Sequence, residues 1–178
     1  MAFAVYGKHP AKGDFVECGL AGLKPAVESW LDAVLVETRH GLSEEWETVW
    51  AAAPPLRFWL GESIWGEPLA GVLIASADKV GRRFPLVILA TGADCPPAPV
   101  IDASQNWHQS IEVHLQQVQL LDVLAAPADL LTGLAPEAPA TLPEGPSDFW
   151  AVRPGAEAAA LWADVALTDH HRASRRRS

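Results

Sequence analysis

Cysteine is nearly absent: the chain has two, Cys18 and Cys95, far apart and at no CxxC or zinc-ligand spacing. They allow one disulfide at most, and a reduced, cytoplasmic setting is the simpler expectation. No apolar run approaches the ~20 residues that a membrane helix needs. The start, Met1 to Lys8, lacks the charged opening and long apolar region of a secretory signal. Positive charge is scarce, with 13 Lys and Arg against 22 Asp and Glu and a net charge of −9, which argues against a nucleic-acid binder. The only basic cluster outside the loops is the tail, His170 to Ser178, which has no apolar partners and is expected to be disordered.

Tryptophan, by contrast, is plentiful: eight against a single tyrosine and a single methionine. Each is expected in the core by roughly three to one over a surface anchor. A 178-residue chain with 49% hydrophobic residues is most simply one domain, here residues 1–167 followed by the tail 168–178.

The chain is organised around two apolar runs, Leu69–Ala75 and Pro85–Ala90, separated by Ser76-Ala77-Asp78-Lys79-Val80-Gly81-Arg82-Arg83-Phe84. Short runs, apolar on both faces and ended by turn residues, read as strands at the centre of a sheet. Their connection is too short for a parallel crossover, so the strands are antiparallel neighbours. Around them, Phe3–Tyr6 reads as a first strand and Gly7 to Phe15 as a loop. Pro25–Arg39 is a helix with Val27, Trp30, Leu31, Val34 and Leu35 on one face, stopped by Gly41. Ser43 is the expected N-cap of a second helix that buries Trp46, Val49 and Trp50 and ends at Pro54-Pro55.

Leu56–Leu60 is an aromatic strand, followed by a turn carrying Trp65. Residues 104–124 form the longest helix, with Trp107, Ile111, Leu115, Val118 and Leu121 inward; Pro127–Leu134 is a short helical turn and 135–147 a proline-rich loop. Phe149–Val152 and Ala160–Ala166 are two closing strands that return to the sheet begun at the N-terminus. This order predicts an α/β fold: a three-layer α-β-α sandwich around a largely antiparallel sheet, with a two-layer α+β arrangement as alternative.

Enzymatic signatures are missing. There is no GxSxG elbow, no HExxH helix and no GxGxxG after a strand, and Gly7-Lys8 is followed by His9-Pro10 rather than by a phosphate-binding loop. His114 reads as a core histidine, and His108 with Glu112 as a solvated helix pair rather than a metal site. No cofactor or metal is expected. Two charged loops remain: Lys8, Lys12 and Asp14 in the first, Ser76, Asp78, Lys79, Arg82 and Arg83 in the second. On one reading Asp14 and Asp78 pair with the cations and tie the loops together, Asp78 also accepting local backbone N–H groups while Gly81 supplies a positive φ. On the other, Lys8, Lys12, Arg82 and Arg83 form an anion or partner-docking site, which as a nucleotide or phosphate-ester site would use Lys8, Lys12, Asp78 and Arg82. Scaffolding leads by roughly two to one, because interleaved charges at loop ends pair among themselves.

Both loops resemble the signatures of a known family. Gly7-Lys8-His9-Pro10-Ala11-Lys12-Gly13-Asp14-Phe15-Val16 is similar to the opening signature of the type VI secretion accessory proteins called TagF or ImpM, and Ser76 to Leu86 to their second. The resemblance spans residues 1–166, with Ala11 where members often carry serine and Ala163 where many carry tryptophan. It singles out Lys8, Lys12, Gly13, Asp14 and Phe15, then Ser76, Asp78, Gly81, Arg82 and Phe84, as a partner-docking or structural signature. It implies a longin- or profilin-like sandwich and a non-enzymatic, cytoplasmic regulator of type VI secretion, usually a repressor. The implied partners are type VI components, foremost a forkhead-associated (FHA) protein of the threonine-phosphorylation pathway. Some relatives are fused to a PP2C-like phosphatase; no such domain, and so no phosphatase activity, is expected of the sequence here.

Overall fold

The computed structural model describes residues 3–61, 66–96 and 106–136, and the backbone of 149–152. Six strands form one sheet: β1 (Phe3–Lys8), β2 (Phe15–Cys18), β3 (Leu56–Leu60), β4 (Leu69–Ile74), β5 (Leu86–Thr91) and β6 (Phe149–Val152). Their order across the sheet is β2-β1-β5-β4-β3-β6, and every neighbouring pair is antiparallel. The two apolar runs thus occupy the centre, as their two-sided hydrophobicity predicts.

Period-two alternation sends their side chains to separate cores. Leu69, Leu73, Val87 and Leu89 join Val27, Trp30, Leu31 and Val34 of α1 (Lys24–Leu42) and Trp46 and Trp50 of α2 (Trp46–Ala51). Val72, Ile74, Leu86 and Ile88 join Trp107, Ile111, Leu115 and Val118 of α3 (Asn106–Gln119) on the opposite face. The result is an antiparallel sheet with helices on both faces. Trp30, Trp46, Trp50, Trp59 and Trp107 are all buried in these two cores. Each such side chain removes a large apolar area from water, which is the main favourable contribution to folding.

The sequence reading fails locally, at element ends. Gly7 and Lys8 belong to β1 rather than to the loop, and β2 was missed because only Val16 of its four residues is buried. Helix α1 runs through Gly41, an exposed position where glycine costs about 1 kcal/mol. It ends instead at Ser43, at φ 44° and ψ −117°, whose N–H bonds Arg39 O. Ser43 therefore caps no second helix with its side chain; it opens a 3₁₀ turn, Ser43–Glu45, that leads into α2. Helix α3 stops at Gln119, so Leu121 is 40% exposed and Leu124 takes its expected place in the core. Pro127–Leu131 is a 3₁₀ turn that seats Leu130 against β1 and β2. β6 joins the sheet beside β3, at the edge farthest from β2. Trp65, the 137–147 part of the proline-rich loop, the second closing strand at 160–166 and the tail 168–178 lie outside the described residues.

Candidate docking site

The two charged loops meet at the end of the β1–β5 pair. Gly7 lies opposite Leu86, and the Lys8 N–H donates to Pro85 O at 3.3 Å. Glycine is required at that crossing: Gly7 sits at φ +134°, and a Cβ there would lie 2.0 Å from Pro85 O. The close approach carries Lys8 inward, where it is only 7% exposed, and its ammonium donates to Asp78 Oδ2 at 2.9 Å.

Asp78 is the centre of the site. Its side chain is fully buried, and Arg82 Nε donates to the same oxygen as Lys8, at 2.6 Å. The other oxygen accepts the Val80 and Arg82 N–H groups at 3.0 and 2.9 Å. Burial alone would raise this carboxyl; the bonds from Lys8, the Arg82 amide and guanidinium, and the Val80 amide outweigh it and hold it well below the usual carboxylate range. Asp78 N–H also bonds Arg82 O, and Gly81, at φ +85°, closes the turn with its N–H on Asp78 O. The second loop is thus wound around one carboxylate.

Two further bonds fasten the first loop to it: Lys79 N–H to Lys12 O at 2.8 Å, and the Arg82 guanidinium to Gly13 O at 2.6 Å. Beneath them, Phe84 packs edge-on against Tyr6 and Phe15, whose rings stack on each other 5.4 Å apart. The Lys8 ammonium lies 5.2 Å from the centre of the Phe15 ring. Ser76 is buried, and its carbonyl accepts from Trp50 Nε1 and from the Phe84 N–H.

Asp14 stands apart from this network. It accepts the neighbouring Phe15 N–H at 2.8 Å from an exposed position and makes no ion pair among the described residues, so the expectation that it ties the loops is corrected. The tie comes from backbone carbonyls instead. Lys12 likewise contributes its carbonyl, not its ammonium. Arg83 pairs outward with Glu47 of α2. What faces solvent is the loop tip: Lys79, Val80 (72% exposed), part of Arg82, Gly13, Asp14 and the edge of Phe15.

Sequence reasoning missed His9. Fully buried, it accepts the Ala11 N–H at Nδ1 and bonds Val118 O through Nε2 at 2.8 Å, pinning the first loop to the end of α3. Its neighbours Lys8, Pro10 and Ala11 carry no periodic signal that could have shown this. His108 and Glu112 are not a solvated pair: His108 is fully buried against Phe58 O, and Glu112 pairs with Arg57 at 2.7 Å. His114 is half-buried and bonds Leu130 O. No group of three metal-ligating side chains occurs among the described residues.

Burial lowers the His108 pKa to about 4; the Arg57 charge adds to the fall and the Phe58 carbonyl opposes it. A depressed histidine favours the neutral folded form. Its contribution is complete above the unfolded value near 6.5 and is lost as pH falls toward 4. Between pH 7.5 and 5 this removes about 2 kcal/mol of stability. Urea denaturation at the two pH values measures it, and a His108→Gln chain lacks that part of the pH dependence.

Comparison with known proteins places this geometry in a family. A family model described as the TagF N-terminal domain, type VI secretion system-associated, matches residues 4–132, which span both loops. No curated protein matches the chain by sequence. Among solved structures, the chain is similar to PA0076 from Pseudomonas aeruginosa PAO1, with a TM-score of 0.67 at 22% identity over 96% of this chain and 78% of that one. That likeness supports the same fold for the two chains. No helix among the described residues is long and apolar enough to cross a membrane. The chain belongs to the type VI secretion-associated TagF family, and its role in that system is regulatory and non-catalytic.

Proposed function

We propose that the chain is a cytoplasmic, post-translational repressor of a type VI secretion system that works by binding a partner protein. The partner is an FHA-domain protein of the threonine-phosphorylation pathway. Family membership supports the system; the finer roles rest on the resemblance of the two loops. The observation that carries the binding mode is the saturation of Asp78 by Lys8, Arg82 and two backbone amides. Lys8 and Arg82, the cations that an anion site would use, are already engaged by a carboxylate within the fold. This argues against a nucleotide or phosphate-ester switch. What the loops offer is a rigid edge on which Lys12, Gly13, Asp14 and Phe15 stand beside Lys79, Val80 and Arg82. The antiparallel sheet covered on both faces is compatible with the longin- or profilin-like kinship that the resemblance implies.

The tagged chain, purified from secreting cells, is expected to bring down type VI components and the FHA protein above all. Raising its level is expected to reduce secretion. Repeated pull-downs without any type VI component would sink the proposal.

A further inference from the structure

On the other side of the same loop, strand β4 continues past the point where its neighbour β3 stops. Pairing between them ends at Leu56–Leu73, and the residues before Leu56 are Pro54 and Pro55. Proline has no N–H to extend a ladder. Beyond Ile74 the chain stays extended along the β5 side: Phe84 N–H donates to Ser76 O and Asp78 N–H to Arg82 O, so Ala77 bridges Arg83.

In an antiparallel pair the bonding groups alternate between the two sides. Ser76 and Asp78 spend theirs toward β5, so Ala77 turns its N–H and C=O the other way, and neither is bonded among the described residues. Ala75 O accepts Gln119 Nε2 at 2.8 Å. This short unpaired edge forms the floor of a groove of about 510 Å³, walled by Trp50 and Pro55 on one side and by Gln116 and Gln119 on the other. Ser76 also lines it, and its buried hydroxyl has no partner among the described residues.

The charge of the groove selects an occupant. Among the described residues Arg83 is its one charged lining residue, and Arg83 also lines an adjoining hollow of about 310 Å³ with Arg39 and Arg82, where Glu47 is the single acid among them. In a chain of net charge −9 this end of the sheet is locally cationic. The Arg83–Glu47 pair is solvent-exposed, with Glu47 72% open, so a ligand carboxylate can replace Glu47 at little cost. We propose that the groove binds an extended, acidic segment of the partner protein, which pairs its backbone with the Ala77 edge and places a carboxylate on Arg83. Main-chain bonds supply affinity in such strand addition, and alternate side chains supply specificity. The proposal rests on the partner-binding reading above and names the segment that is bound.

The test is fluorescence anisotropy of the full chain with a labelled short peptide alternating valine and glutamate. Saturable binding is expected, weakened at least about tenfold by Arg83→Gln, by Ala77→Pro and by N-methylation of the peptide backbone. The methylated peptide leaves the protein unaltered, so it decides the matter if the Ala77 variant fails to fold. No binding at millimolar peptide, equal binding of a valine–lysine peptide, or indifference to methylation each overturns the proposal. Saturable binding of a labelled peptide of this chain's own 153–178 segment, with no binding of the valine–glutamate peptide, overturns it in favour of an internal occupant. If the wild-type chain captures type VI components and Arg83→Gln captures them equally, the groove assignment fails while the regulatory reading stands.

Discussion

Asp78→Ala lowers the melting temperature by roughly 10 °C, because it strips the partner from a buried lysine and unwinds the turn built on one carboxylate. Lys8 is left 7% exposed with its cation uncompensated, and the Val80 and Arg82 amides lose their acceptor. Asp78→Asn is milder: it keeps an acceptor oxygen but loses the charge that holds both cations. The wild-type protein shows the same link through pH. The Asp78 carboxyl is depressed on folding, so its contribution is fully present above the ordinary aspartate value near 4 and is lost as pH falls below it. Thermal melts of the three chains near neutral pH and below pH 4 check both statements: the variants lose stability at neutral pH and converge on wild type in acid.

Gly7→Ala is expected to cost about 3 kcal/mol or more. The new methyl would meet Pro85 O at 2.0 Å and Leu86 Cα at 2.8 Å, both backbone atoms of a central strand that cannot step aside. The φ of +134° adds strain of its own. Gly13→Ala in the same signature is the control: a Cβ there meets nothing within 4 Å, and its stability is expected within about 0.5 kcal/mol of wild type. Urea midpoints of the two variants separate a glycine demanded by packing from one that packing leaves open.

These two residues also show how far the sequence could be read. The sheet's centre was legible because Leu69–Ile74 and Leu86–Thr91 are apolar on both faces, a pattern that only a covered strand carries. Helix α1 was legible from its apolar stripe and Pro25. Gly7 was not: glycine next to lysine, histidine and proline looks like a loop, and the close strand crossing that demands it depends on Pro85, far along the chain. His9 failed for a related reason, since its partner is the Val118 carbonyl at the end of a helix on the other face.

Within the site, Asp78 was singled out by local chemistry, with a glycine and two arginines close after it. The misassignment of Asp14 arose because composition counts charges but does not orient them: Asp14 turns back on the Phe15 amide, and carbonyls of Lys12 and Gly13 do the tying. Backbone groups carry no sequence signature, so this part of the site could only be seen in three dimensions. The same holds for the Ala77 edge, unpaired among the described residues because β3 begins at Leu56, opposite Leu73, four residues short of the position that would face Ala77.

In the proposed binding mode, Asp78 supports the loops from within while their exposed tip meets the partner. Lys79→Glu with Val80→Asp alters that tip and leaves every side-chain bond to Asp78 in place. The deciding measurement is capture of type VI components by this double variant, with its melting temperature recorded alongside. The prediction is a melting temperature within about 2 °C of wild type and loss of the captured components. Undiminished capture at an unchanged melting temperature would contradict the claim.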